Sequence, residues 1–170
     1  MSVAYLIIGT NENDRLNNIY KARDFINKDI GSIQESSSIY ETEPWGFKSN
    51  INFYNQVVRI DTSLDQYAVL DEIKKIEDYM GRKRTSERYA SRTMDIDILF
   101  YDLIILESEA LVLPHPGIPD RRFVLEPMKE IAKDFIHPGL HKSILQLYEE
   151  CKDRLRVWKI NNSLPGFQKK

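Results

Sequence analysis

The order in which the apolar residues switch between two periods constrains this chain more than any other feature. Residues 3–9 form a short apolar run with β-branched and aromatic members that stops at Gly9, the mark of a buried strand. Leu16, Ile19, Phe25 and Ile26 then recur at three- and four-residue spacing, which predicts a helix ending before Gly31. A strand is expected over 32–42, Glu43-Pro-Trp-Gly46 breaks it, and another strand runs from Phe53 to Asp61. Val69, Ile73, Ile76 and Met80 share one helical face behind a Ser63/Gln66 capping box, and Gly81 supplies the stop. Strand character returns at Met94–Tyr101, with Leu103–Leu106 as the expected hairpin partner. A proline-punctuated connection over Leu111–Pro119 follows, then a helix within Arg122–Ala132, a short helix at Ser143–Cys151 and an edge strand at Val157–Ile160. Strand–helix–strand–strand–helix–strand is the order of a ferredoxin-like α+β sandwich, a small, mainly antiparallel sheet with helices packed on one face. The 170 residues suit one domain over 1–160, and the polar segment 161–170 is expected to fray.

Composition narrows the function classes. Hydrophobic residues at 42% and charged residues at 29% suit a globular core, and a formal charge of −2 argues against a nucleic-acid partner. Cys151 is the single cysteine, so an internal disulfide and a cysteine-rich zinc cage are both ruled out. No apolar run reaches the length of a membrane span, and residues 1–9 lack a basic leader region, so a cytoplasmic chain without a membrane partner is expected. Neither a GxGxxG fingerprint, a P-loop nor a Gly-x-Ser-x-Gly elbow is present. His115, His137 and His141 share no metal-like spacing.

Three groups of residues carry chemistry. Asp95 and Asp97 alternate along a strand, so both carboxylates share a face about 7 Å apart, while Met94, Ile96, Ile98 and Phe100 point to the core. Two carboxylates that close repel unless a cation lies between them, and Mg²⁺ takes one or two carboxylates while leaving room for phosphates. Residues 82–93 feed into that strand and hold five basic side chains (Arg82, Lys83, Arg84, Arg88 and Arg92) against one acid, Glu87. A guanidinium-rich loop beside a carboxylate pair suits a metal–polyphosphate ligand. The alternative for each is a solvated charged segment with arginines paired to the aspartates. Trp45, Phe53, Tyr54 and Asn55 form the third group. Phe53 and Asn55 share one strand face, offering a ring for stacking beside an in-plane amide, which suits a flat heterocycle; ordinary core aromatics are the alternative. An RNA-binding sheet displaying Phe53 and Tyr101, and a metal-dependent phosphohydrolase, are the competing functions. The first is opposed by carboxylates that would repel phosphates without metal.

Gly9-Thr-Asn11, Tyr40-Glu-Thr-Glu-Pro-Trp-Gly46, Phe53-Tyr-Asn55, Glu77 ahead of Gly81-Arg82, Arg92-Thr-Met-Asp-Ile-Asp-Ile98, Leu113-Pro-His115 and Arg121-Arg-Phe-Val-Leu125 occur in order at fitting spacings. Together they resemble the 6-hydroxymethyl-7,8-dihydropterin pyrophosphokinases of folate biosynthesis, over roughly residues 3–136. The resemblance implies a ferredoxin-like enzyme that moves the β,γ-diphosphate of ATP to the pterin hydroxymethyl group and releases AMP, with two Mg²⁺ ions. It places both ions on Asp95 and Asp97, with Arg82 and Arg92 stabilising charge during transfer. It puts Thr42, Pro44, Trp45, Phe53, Asn55, Asp95 and Phe123 at the pterin, and Lys74, Glu77, Arg84, Tyr89, Arg92, Ile98, His115 and Arg121 at ATP. ATP and hydroxymethyldihydropterin are then the small-molecule partners, a monomer is favoured with a weak dimer as the alternative, and the loops near 46–51 and 82–92 are expected to close over the ligands. The chain departs from the usual pattern at Tyr89, Ala90-Ser91, Lys74, Ala110, Val112 and Pro116. It also departs at Glu43 and Trp45, which replace small or aliphatic neighbours of Pro44.

Overall fold

A computed structural model of the chain describes residues 1–81 and 93–160. The sheet is organised around β1 (Ser2–Thr10), whose residues from Ala4 onward are buried. It lies between β4 (Phe53–Thr62) and β5 (Asp95–Tyr101), antiparallel to both. β2 (Ser32–Ser36) and β3 (Tyr40–Thr42) both pair with the far side of β4, and β8 (Val157–Lys159) closes that edge against β3. The order β5-β1-β4-β3-β8, with α1 (Arg15–Phe25) crossing from β1 to β2 and α2 (Gln66–Tyr79) from β4 to β5, is that of a ferredoxin-like sandwich.

The layer structure departs from the expectation of helices on one face. Alternate residues of β1 enter two cores: Ala4, Leu6 and Ile8 pack with α1 and α2 through Ile19, Ala22, Val69, Ile73 and Ile76. Tyr5 and Ile7 pack on the other face with α3 (Arg122–Ala132) and α4 (Ile144–Glu150), through Val124, Leu125, Met128, Ile144 and Leu147. A strand this apolar on both faces needs cover on both, and the second helical layer supplies it at one end only. At the other end of that face the sheet stays open, and the candidate site residues lie there.

Four local expectations shift for local reasons. The 32–42 segment is two strands, because Ser37 interrupts the ladder: its hydroxyl accepts the Val57 N–H at 3.0 Å while its own N–H donates to the Val57 carbonyl at 2.9 Å. Asp65, not Ser63, caps α2, its carboxylate accepting the N–H groups of Tyr67 and Ala68 at 3.0 and 2.9 Å. A bulge opposite Tyr5 and Leu6 adds Leu99 to β5, so Phe100 joins the α3/α4 core instead of the face of Ile96 and Ile98. Leu103–Leu106 is not a hairpin partner of β5: Asp102 turns the chain away at φ 45°, and β6 (Leu106–Glu107) pairs with β7 (Val112–Leu113). The expected tail over 161–170 lies outside the described residues. Among those described, no helix is long and apolar enough to cross a membrane.

The turn into β2 shows how tightly these layers meet. A Cβ at Gly31 would lie 2.4 Å from the Asp61 carbonyl oxygen and 2.9 Å from the Thr62 Cβ. The Asp61 carbonyl is backbone of a paired strand and has no room to yield, so Gly31→Ala should destabilise the fold by about 1–3 kcal/mol, read as a lower urea midpoint with an unchanged slope.

Candidate active site

Register builds the site. Gly9 of β1 stands opposite Asn55 of β4 on one side and Asp95 of β5 on the other. Ile7, two residues earlier, stands opposite Asp97. Strands lie about 4.8 Å apart, so the backbones of Asn55 and Asp95 are separated by roughly 10 Å across a residue with no side chain. That gap is the floor of an open cleft. A Cβ on Gly9 would come within 2.6 Å of the Asn55 Oδ1, so glycine both clears the floor and lets Asn55 settle beside it. Asn55 is buried and its Nδ2 donates to the Thr42 hydroxyl at 2.8 Å, which sets the amide plane across the strand ends.

Two walls rise from this floor. The segment after β3 contributes Glu43, Trp45 and Phe47, with Phe47 edge-on to Phe53 at 6.0 Å and 88°. The start of α3 contributes Arg121 and Phe123. Arg121 links the walls: its guanidinium lies 4.6 Å over the Trp45 ring and 6.0 Å over Phe123. Its buried Nε has no hydrogen-bond partner among the described residues. An arginine held among aromatic rings keeps donors in reserve for an anionic or carbonyl-bearing ligand.

His115 sits behind this wall. Its Nδ1 accepts the Gly117 N–H at 3.0 Å, which leaves the proton of the neutral ring on Nε2. Burial, reinforced by the Arg121 charge and opposed by Asp95, lowers its pKa from 6.5 to about 4. The ring is therefore a neutral donor near pH 7, and its acceptor nitrogen is already engaged. Glu77, buried on α2, accepts the Ile96 N–H at 2.9 Å and so pins β5 between the two aspartates.

The structure thus gathers Thr42, Trp45, Phe53, Asn55, Asp95, Asp97, Arg121 and Phe123 around one cleft, with His115 and Glu77 behind it. Pro44 is half-buried next to the wall without lining it, and Lys74 is exposed on α2. Ile98 does not bring its side chain to the cleft: it belongs to the α1/α2 core, on the opposite face from the carboxylates. Arg82, Arg84, Tyr89 and Arg92, with the expected loop over 82–92, lie outside the described residues. Gly9, Glu43 and Phe47 line the cleft without having been singled out as site residues. Only the pairing of β1 with β4 and β5 marks Gly9 as floor. Phe47 carried a weak signal, as a second aromatic in the broken segment before Phe53.

A ferredoxin-like sandwich with an in-plane amide, aromatic walls and a carboxylate pair in one cleft has the geometry to hold a flat polar molecule. The sequence pattern of the 7,8-dihydro-6-hydroxymethylpterin-pyrophosphokinase (HPPK) family matches residues 5–133. The 2-amino-4-hydroxy-6-hydroxymethyldihydropteridine pyrophosphokinase of Bacillus subtilis is 33% identical over 167 residues, covering 98% of this chain and 96% of its own. The folic acid synthesis protein FOL1 of Dictyostelium discoideum is 38% identical over 82% of this chain but only 21% of its own length. This chain therefore spans about a fifth of such folic acid synthesis proteins. In structure, an HPPK-DHPS crystallised with substrates superposes with a TM-score of 0.72 over 87% of this chain and 43% of that one, at 17% identity, and so shares the fold. The chain belongs to the 7,8-dihydro-6-hydroxymethylpterin-pyrophosphokinase family.

The depressed His115 pKa makes a stability prediction. The unfolded chain takes up this proton near pH 6.5 and the folded chain near pH 4, so acidification between those values favours unfolding. This ring alone should remove up to roughly 3 kcal/mol of stability by pH 4. Urea unfolding of a His115→Gln variant at pH 7 and pH 4 should show a correspondingly smaller acid loss than the parent.

Proposed function

We propose that this chain transfers the β,γ-diphosphate of ATP to the hydroxymethyl oxygen of 6-hydroxymethyl-7,8-dihydropterin and releases AMP, a step of folate synthesis. The observation that carries the reading is the row Asp95–Gly9–Asn55, which sets a heterocycle-reading amide and a cation-binding pair at opposite ends of one flat floor. A pterin edge hydrogen-bonds to Asn55 and its ring lies among Phe53, Phe123 and Trp45. Its hydroxymethyl arm then points along the floor toward the carboxylates.

Asp95 and Asp97 fit magnesium. They are hard oxygen donors on one strand face, and among the described residues no third His, Cys, Asp or Glu completes an all-protein cage. A pair without a third ligand is what Mg²⁺ uses when substrate phosphates fill the remaining positions. Asp95 and Asp97 would hold two such ions, which would supply positive charge against the polyphosphate and Lewis acidity at its oxygens. In the transfer, the hydroxymethyl oxygen bonds to the β-phosphorus and gives up its proton to water, the bond from that phosphorus to the bridging α-phosphate oxygen breaks, and AMP leaves with that oxygen. His115 is not the base that accepts the hydroxyl proton, since its Nδ1 already accepts from Gly117; its Nε2–H and the spare donors of Arg121 instead meet phosphate oxygens. Positioning and charge neutralisation therefore supply most of the acceleration. On this reading the work is done in the cytoplasm, by a monomer or a weak dimer.

With Mg²⁺, ATP and the pterin alcohol, AMP should form in step with diphosphorylated pterin. ADP as the product, or phosphate release independent of pterin, would overturn the reading. Asp95→Asn and Asp97→Asn should each lower turnover at least about a hundredfold while leaving thermal unfolding near that of the parent. Phe53→Ala and Phe123→Ala should instead weaken pterin binding roughly tenfold, measured by titration calorimetry, with little effect on ATP.

A further inference from the structure

The segment that leads into β8 touches both walls of the cleft. Asp153 Oδ2 accepts the Arg122 N–H at 3.0 Å, the first amide of α3, between the wall residues Arg121 and Phe123. The residue at the helix cap, Arg121, makes no side-chain cap of its own, so this remote carboxylate meets an amide that the helix leaves open. Three residues later the same segment reaches the other wall. The Arg156 N–H donates to Glu43 Oε2 at 2.7 Å, its Nε to Glu43 Oε1 at 3.2 Å, and its carbonyl accepts the Glu43 N–H at 3.2 Å. Glu43 lies two residues before Trp45, and the ladder continues as Thr42 opposite Val157.

We infer that Asp153–Val157 is a brace that sets the width of the pterin cleft, Asp153 holding the Arg121–Phe123 wall and Arg156 holding the Glu43–Trp45 wall. The inference rests on the reading of the cleft as a pterin site. Three residues of extended chain reach about 10 Å, so the two attachment points are held at short range. The Leu155 N–H also donates to Asp153 Oδ1 at 3.0 Å, which stiffens the span. Nothing in the family match prepares for this role, since that match ends at residue 133 and the brace lies beyond it. Asp153 and Arg156 do not line the cleft; they are positioning residues that act through α3 and Glu43.

The test compares Asp153→Ala, Asp153→Asn and Arg156→Ala with the parent chain. Pterin and ATP dissociation constants, steady-state AMP formation and the thermal midpoint are measured for each. Asp153→Ala should weaken pterin binding and raise its KM about fivefold, and Arg156→Ala, which loses only the Nε bond and keeps both backbone bonds to Glu43, about threefold, with kcat and ATP affinity within twofold of the parent. Asp153→Asn, which keeps an acceptor oxygen, should recover part of that loss. Unchanged pterin affinity in both alanine variants overturns the brace, and so do equal losses of pterin and ATP affinity that follow a lowered midpoint. The Arg156 side chain is 75% exposed, so its removal spares the fold and decides the matter if Asp153→Ala does not fold. A parent chain that forms no AMP from ATP and pterin overturns the substrate reading, and the brace with it.

Discussion

The antiparallel seating of β1 between β4 and β5 is the constraint on which the rest depends. It buries one strand on both faces, and so demands the two helical layers. It also decides which residues meet across the sheet. A slip of one residue in either pairing would turn Asn55 or the two aspartates to the other face. The hydrophobic pattern of β1 forbids the slip, because it would exchange the residues facing α1 and α2 for those facing α3 and α4. Core packing and ligand geometry are therefore set by one register.

Around that register the charged groups divide into two kinds. Some are spent on holding the frame: Glu77 on the Ile96 amide, Glu43 on Arg156, Asp153 on the first amide of α3. Arg121 is of the other kind. It rests on Trp45 with its Nε unbonded among the described residues, and its field helps keep His115 neutral. A neutral imidazole whose tautomer is set by a backbone amide donates without adding charge, which suits a site where anionic oxygens gather. His137 uses the same turn, its Nδ1 accepting the Gly139 N–H at 3.2 Å, but there the ring packs edge-on to Phe100 and serves the core. The shared His-Pro-Gly string thus has one local geometry and two employments, separated only by where the fold places it.

Local chemistry made much of this legible in advance. The apolar period marked β1, β4, α2 and β5 because each buries a long regular stripe. The alternation in Asp95-Ile-Asp97 put both carboxylates on one face, and the pairing of Phe53 with Asn55 followed from the same rule. Where a side chain outside the pattern intervened, the reading slipped. Ser37 replaced a backbone partner and split a strand, Asp65 was the stronger cap one turn from Ser63, and Leu99 entered β5 as an extra residue that moved Phe100 across the sheet. Each is a single polar group or insertion that leaves no trace in a periodicity.

The sequence by itself determined where the long strands and helices lie and that Asp95 and Asp97, like Phe53 and Asn55, share a strand face, because these depend on neighbours within a few residues. Only the tertiary structure decided that Gly9 is the floor between Asn55 and Asp95, and that Asp153 and Arg156 reach both walls. Those relations join residues up to 113 positions apart. They are set by which strands pair and which helix covers which face, and no local pattern records that choice.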